Sequence, residues 1–219
     1  MAACRDHHAG CTDGLHNTNL RTNKPVTGSV INQPQWPCRV QRVEPAGAVM
    51  CDDRLAVEEP LEIRLRWQQN SVWHEEPLTI TMRTPGHDEE LVAGLLFSEG
   101  IVQRREQILA IACGDNSNTL CVTLAADHQL DLKRFQRQFA STSSCGVCGK
   151  MAIESLQLLH TPQLSAQSPQ VAAAVLQQLP ARLREAQALF AQTGGVHAAG
   201  LFDTGGHLLL LREDIGRHN

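Results

Sequence analysis

The segment Leu61-Glu62-Ile63-Arg64-Leu65-Arg66-Trp67 alternates apolar and charged residues without a break. A period of two sends Leu61, Ile63, Leu65 and Trp67 to one face and Glu62, Arg64 and Arg66 to the other. The run predicts a strand with one dry face and one wet face, so the fold must cover one side of a sheet. Arg54-Leu55-Ala56-Val57 precedes it, and residues 78–83 follow after the turn composition Gln68-Gln69-Asn70-Ser71. Together they predict an antiparallel N-terminal sheet.

Arg83-Thr84-Pro85-Gly86-His87-Asp88 interrupts this pattern. Leu91, Val92, Leu95 and Leu96 then recur at helical spacing, with Asp88 as N-cap or first-turn acid and Gly100 just past the end. Residues 108–113 and 119–124 read as strands joined through Asp115-Asn116-Ser117-Asn118. Further on, three helical stripes are expected: Met151, Leu156 and Leu159; Val171, Ala174, Val175 and Leu179; Leu183, Ala186, Leu189 and Phe190. Pro180 is read as the boundary between the last two. Residues 196–203 and 207–212 predict a β-hairpin around Thr204-Gly205-Gly206.

The expected class is α/β (α+β), a mixed sheet with helices on it. The expected division is a disordered tail at 1–36, a β-rich segment at 37–83 and an α/β domain at 84–219. A chain of 219 residues can bury a core without staples. It has no Tyr and few other aromatics, so Leu, Val, Ile and Ala must fill that core. The last residues, Glu213-Asp214-Ile215-Gly216-Arg217-His218-Asn219, read as the middle of a functional loop, as in a fragment of a longer protein.

Composition excludes several classes. A net charge of −4 with no dense basic face argues against a nucleic-acid binder. No apolar run approaches the length of a membrane span, and residues 1–24 lack a signal-peptide core. A cytoplasmic location is expected. Eight cysteines in a chain of this length do not have the spacing of a small secreted scaffold, so a reducing compartment is expected, with Cys113 and Cys121 as buried thiols. The tail cluster Cys4, His7, His8, Cys11 and His16 does not close a four-ligand metal site.

The chemistry concentrates in Ser143-Ser144-Cys145-Gly146-Val147-Cys148-Gly149-Lys150. Two thiols at this spacing suit a zinc half-site, a redox pair or a sulfur relay. A structural zinc site needs four ligands, and no second Cys-x-x-Cys pair exists. The small polar residues ahead of the pair favour a loop, and a helix after it would place its positive end near the sulfurs, favouring reactive thiolate. Elsewhere, Arg83, Thr84 and Gly86 suit a phosphate at a helix start, and equally a capping turn. His197 follows Gly194-Gly195, where a ligand can approach closely; a strand histidine is the plainer alternative. Asp214, Arg217 and His218 suit a polar pocket wall or a solvated loop.

Five motifs in order carry a family resemblance: Arg83-Thr84-Pro85-Gly86-His87-Asp88-Glu89-Glu90-Leu91, Phe97-Ser98-Glu99-Gly100-Ile101, the Cys145–Cys148 motif, Thr193-Gly194-Gly195-Val196-His197-Ala198-Ala199, and residues 213–219. The set resembles the formate dehydrogenase accessory sulfurtransferases, the FdhD family, from about residue 40 onward. The resemblance implies a cytidine-deaminase-like mixed sheet with flanking helices. It implies sulfurtransferase activity: sulfur taken from a cysteine desulfurase as a persulfide and passed to the molybdenum cofactor, bis-molybdopterin guanine dinucleotide, for formate dehydrogenase. That cofactor would be a bound acceptor substrate, with no permanently bound cofactor and no metal. Cys145 would carry the persulfide and Cys148 assist or share the sulfur, while Arg83, His197 and Arg217 would contact the anionic cofactor or position the loop. A homodimer is also implied. Ala199 stands where a zinc deaminase needs its proton-transferring Glu, and the order of the two motifs is reversed, so no deaminase chemistry is expected. The alternatives are a cofactor-binding chaperone whose thiols do no chemistry, and a zinc-stabilised binding module.

Overall fold

The computed structural model describes residues 33–114, 116–125 and 169–219. In chain order the strands are β1 (Gln35–Glu44), β2 (Gly47–Ala56), β3 (Glu59–Gln69), β4 (Val72–Arg83), β5 (Ile108–Cys113), β6 (Thr119–Leu124), β7 (His197–Phe202) and β8 (Leu208–Asp214). The α-helices are α1 (Asp88–Ser98), α2 (Ala173–Ala186) and α3 (Ala188–Thr193).

β3 to β6 form one sheet in the order β4-β3-β6-β5. β3 runs parallel to β6 and antiparallel to β4, and β5 is antiparallel to β6. The sheet is therefore mixed, and the β3–β6 pairing crosses the expected boundary between residues 83 and 84. The alternation of β3 appears directly: Leu61, Ile63 and Leu65 have no solvent exposure. They pack with Leu120, Val122 and Leu124 of β6, with Val92 and Leu96 of α1, and with Ile101 and Val102. Each such side chain contributes about 1.5–3 kcal/mol of burial. On the opposite face Arg64 bridges Glu62 and Glu75, and Arg66 lies over the Trp73 ring at 4.8 Å. Glu62 and Glu75 remain 33% and 44% exposed, so solvent screens these pairs and they keep the face polar rather than stabilise it strongly. Asn70 and Ser71, both at positive φ, close the β3–β4 hairpin with the geometry that matches strand twist.

α1 carries Asp88, Glu89 and Glu90 in its first turn and ends with Gly100 in the left-handed region, as expected. β7 and β8 form the expected hairpin, with α2 packed on β8. Gly206 in its turn has φ +80°, and a Cβ there would sit 2.6 Å from Arg182 Nη1 and 2.8 Å from Val175 Cγ1. Only glycine fits that close approach.

The structure departs from the sequence reading at three further places. β1 begins at Gln35, inside the expected tail, and pairs with β2 in a two-stranded ribbon. Most of that ribbon is exposed, and only a short stretch around Trp36, Cys38 and Val40 is half-buried, so the alternation it writes into the sequence is brief and interrupted by Pro37. α2 runs through Pro180 and breaks instead at Gln187. Pro180 is exposed, so the carbonyl it leaves without a helical partner faces the wet side of the helix. Finally, Cys113 is exposed and Cys121 only half-buried. Cys113 is the last residue of β5, an edge strand among the described residues. The expected tail before residue 33, the helical stripe from Met151 to Leu159, Cys145 and Cys148 lie outside the described residues.

Candidate functional site

β4 and β8 end side by side, and the residues after them interlock. The Asp214 carboxylate accepts the Thr84 backbone N–H at 3.0 Å, the Gly216 N–H at 2.6 Å and the Asn219 side-chain N–H at 2.7 Å. Thr84 Oγ1 in return accepts the Ile215 N–H at 3.1 Å. Asn219 also donates to the Met82 carbonyl at 2.8 Å and accepts from Thr81 Oγ1 at 3.2 Å. Burial raises the Asp214 carboxyl above the usual range; the N–H groups of Gly216 and Thr84 and the Asn219 side chain pull the other way, and burial outweighs them.

Arg83 anchors the same loop from below. Its side chain is 1% exposed. Nε and Nη2 grip both Asp88 oxygens at 3.0 and 2.9 Å, Nη2 also donates to Asn118 Oδ1 at 3.0 Å, and Nη1 to the Glu59 carbonyl at 3.3 Å. The fork of the guanidinium thus ties the end of β4 to the start of β3, to α1 and to the β5–β6 turn. Buried among these partners, Arg83 holds the loop in place. On the rim, Arg212 of β8 grips Glu90 of α1, with Nη2 at 2.7 Å from Oε1. That pairing holds the Glu90 carboxyl below its usual range.

The other carboxylate of the pair at 213–214 serves α3. Glu213 accepts the N–H of Leu189 at 2.9 Å and of Phe190 at 2.8 Å, satisfying two amides that the first turn leaves without helical partners. The helix ends at Gly194 in the left-handed region, after fully buried Thr193, whose hydroxyl donates to the Leu189 carbonyl. This turn delivers His197 to the first position of β7, exposed and in register with Asp214. Arg217 and His218 are exposed in the 216–219 turn, closed by the Asn219 N–H to the Gly216 carbonyl. His87, at the N-terminal end of α1, is exposed as well.

The fold therefore brings Arg83, His197 and Arg217 to one junction, with Arg83 inside it and the other two at its surface. Asp214 was legible as a polar residue but not as the hub. The roles of Glu213, Asn118 and Asn219 left no periodic signal. Among the described residues, no group of three or more His, Cys, Asp or Glu side chains is placed to hold a metal ion.

Residues 56–219 match the model of the FdhD/NarQ family. A sulfur carrier protein FdhD from Mycolicibacterium paratuberculosis is 43% identical over 189 residues, covering 83% of this chain and 66% of the relative. The sulfur carrier protein FdhD of Mycobacterium tuberculosis is 41% identical over 192 residues, covering 83% of this chain and 67% of the relative. That of Streptomyces coelicolor is 40% identical over 190 residues, covering 83% and 64%. The chain thus spans about two thirds of the length of these curated relatives. In fold it resembles the crystal structure of a proposed formate dehydrogenase accessory protein from Desulfotalea psychrophila, with TM-score 0.59 at 22% identity, covering 84% of this chain and 65% of that one.

Proposed function

The chain belongs to the FdhD/NarQ family, and from that premise we propose that it is a sulfurtransferase serving formate dehydrogenase. It takes sulfane sulfur from a cysteine desulfurase and hands it to the molybdenum cofactor. The supporting observation is the family match over residues 56–219, which spans Cys145 and Cys148, together with the relatives' description as sulfur carriers.

The Cys145 thiolate attacks the outer sulfur of the desulfurase persulfide. The S–S bond there breaks, the desulfurase leaves as a thiolate, and Cys145 holds the persulfide. Cys148 then attacks the Cys145 sulfur. A Cys145–Cys148 disulfide forms, and the outer sulfur departs as hydrosulfide toward the acceptor. The sulfur is reduced by two electrons and the two thiols are oxidised by two, so the step balances. Reduction of the disulfide by a cellular thiol resets the pair. The acceptor, bis-molybdopterin guanine dinucleotide, is anionic, and exposed His197 and Arg217 are the groups that meet it. Buried Arg83 holds the loop beside them.

The reading predicts one added sulfur on Cys145 after incubation with a cysteine desulfurase and cysteine, mapped by peptide mass spectrometry. Folded protein that gains no sulfur on either thiol rules the relay out. A Cys145→Ala variant that still matures formate dehydrogenase makes the chain a cofactor chaperone instead. Stoichiometric zinc held by the two thiols makes it a zinc-stabilised module.

A further inference from the structure

We propose that Asp214 is a positioning residue for the delivery half of this reaction, clamping the Thr84 loop to the 216–219 turn so that His197 and Arg217 meet the anionic acceptor from fixed places. The inference rests on the sulfur-carrier reading and goes beyond it by separating delivery from loading.

Three features carry it. First, the contact is reciprocal and bridges distant segments: Asp214 takes the Thr84 N–H, and Thr84 Oγ1 takes the Ile215 N–H, across 130 and 131 residues of chain. The 214–219 turn closes on its own local bonds, and these two bonds are what tie it to the Thr84 loop. Second, Asp214 is acceptor-only when ionised, and the groups it faces here are all N–H donors: Thr84, Gly216 and the Asn219 side chain. With its lone pairs so engaged, it offers little to a ligand and acts through the loops. Third, the elements it joins carry the exposed basic side chains of the junction: His87 next to α1, His197 opposite it in register, and Arg217 and His218 in the turn it caps. A carboxylate amid these would oppose an incoming anion unless its charge were spread over local donors, which is the arrangement found.

The test compares Asp214→Ala, Thr84→Val and Thr84→Ser with the parent chain. Two quantities are read: sulfur loaded on Cys145 by a cysteine desulfurase, and the amount of protein needed for half-maximal activation of formate dehydrogenase in a host lacking its own carrier. Circular dichroism and thermal melts establish folding. Asp214→Ala and Thr84→Val are expected to load normally yet to need about tenfold more protein for activation, the scale expected of a small misplacement of binding groups. Thr84→Ser keeps the hydroxyl and is expected to behave as the parent.

Normal activation by both impaired variants overturns the clamp. So does a Thr84→Ser chain as poor as Thr84→Val, because the lost property is then not the hydroxyl. Loss of loading together with activation also overturns it, since the residue would then be merely structural. A parent chain that takes no sulfur on Cys145 sinks the sulfur-carrier reading, and the clamp's role with it.

Discussion

Glu213 and Asp214 are consecutive on β8, yet their carboxylates serve different elements: Glu213 caps α3, and Asp214 takes the N–H of Thr84 after β4. The alternation of a strand is the cause, because neighbouring side chains leave on opposite faces. One dipeptide thus fastens two pieces of chain to the β7–β8 hairpin, and the two attachments can be broken separately.

Glu213→Gln is expected to cost about 1 kcal/mol of stability, the usual scale for losing a helix cap. The amide retains one carbonyl oxygen for Leu189 or Phe190, and its NH2 meets the other N–H as donor against donor. The urea midpoint measures it. An unchanged midpoint would show that the two α3 amides find water instead.

Arg83→Met is expected to destabilise by about 3–5 kcal/mol, because it leaves Asp88 charged and without its partner beside the core. Asp88→Leu alone should be similarly severe, with a buried guanidinium left behind. The double variant should cost clearly less than the sum, which a double-mutant cycle by chemical denaturation reads directly. Additive losses would mean that the pair is not coupled.

Thiol reactivity should separate Cys113 from Cys121. Cys113 is exposed, whereas burial pushes the half-buried Cys121 thiol above its ordinary value, with Glu75 adding to the shift. The thiolate is the reactive form. Near pH 8, timed alkylation followed by peptide mapping should label Cys113 first, and Cys121 should catch up only at more alkaline pH. Equal rates would contradict the burial argument.

Carboxylates at the two ends of the β7–β8 hairpin, Asp203 in its turn and Asp214 at the end of β8, should titrate in opposite senses. Backbone and side-chain bonds from His207 lower Asp203, while burial raises Asp214. Asp203 therefore contributes stability above the ordinary carboxylate value of about 3.9, lost as pH falls through its own lower value. Asp214 does the reverse: its contribution is full below that ordinary value and is lost as pH rises through its folded value. Carboxyl NMR titration should find Asp203 below and Asp214 above, with His207→Ala moving Asp203 back up. Coincident titrations would refute both assignments.

The parts of the fold legible in the sequence are those that bury one face. β3 shows its alternation because Leu61, Ile63 and Leu65 meet α1 while Glu62, Arg64 and Arg66 meet water. The ribbon of β1 and β2 was hidden because its half-buried stretch, at Trp36, Cys38 and Val40, is short and Pro37 interrupts it. Pro180 misled because proline forbids only one hydrogen bond, and an exposed helix tolerates that loss. At the site, residue types flagged Arg83, His197 and Arg217, but not which would be inside. The clamp of Asp214 on Thr84 joins a side chain to a backbone amide, and such bonds leave no period in a sequence.

The same clamp bears on how the protein folds. Its partners lie 130 residues apart, so it gives the native state contacts of very high sequence separation. Closing a loop that long costs only slightly more entropy than closing a shorter one, since the penalty grows with the logarithm of length, but such contacts slow folding. The part of the core made by β3, β4 and α1 joins residues 61–96, much closer together in the chain. Thr84→Val should therefore speed unfolding while leaving the refolding rate almost untouched, and stopped-flow kinetics that showed slower refolding instead would place the clamp in the nucleus. Ordering of the junction then becomes the last event of folding, and its opening the first event of unfolding.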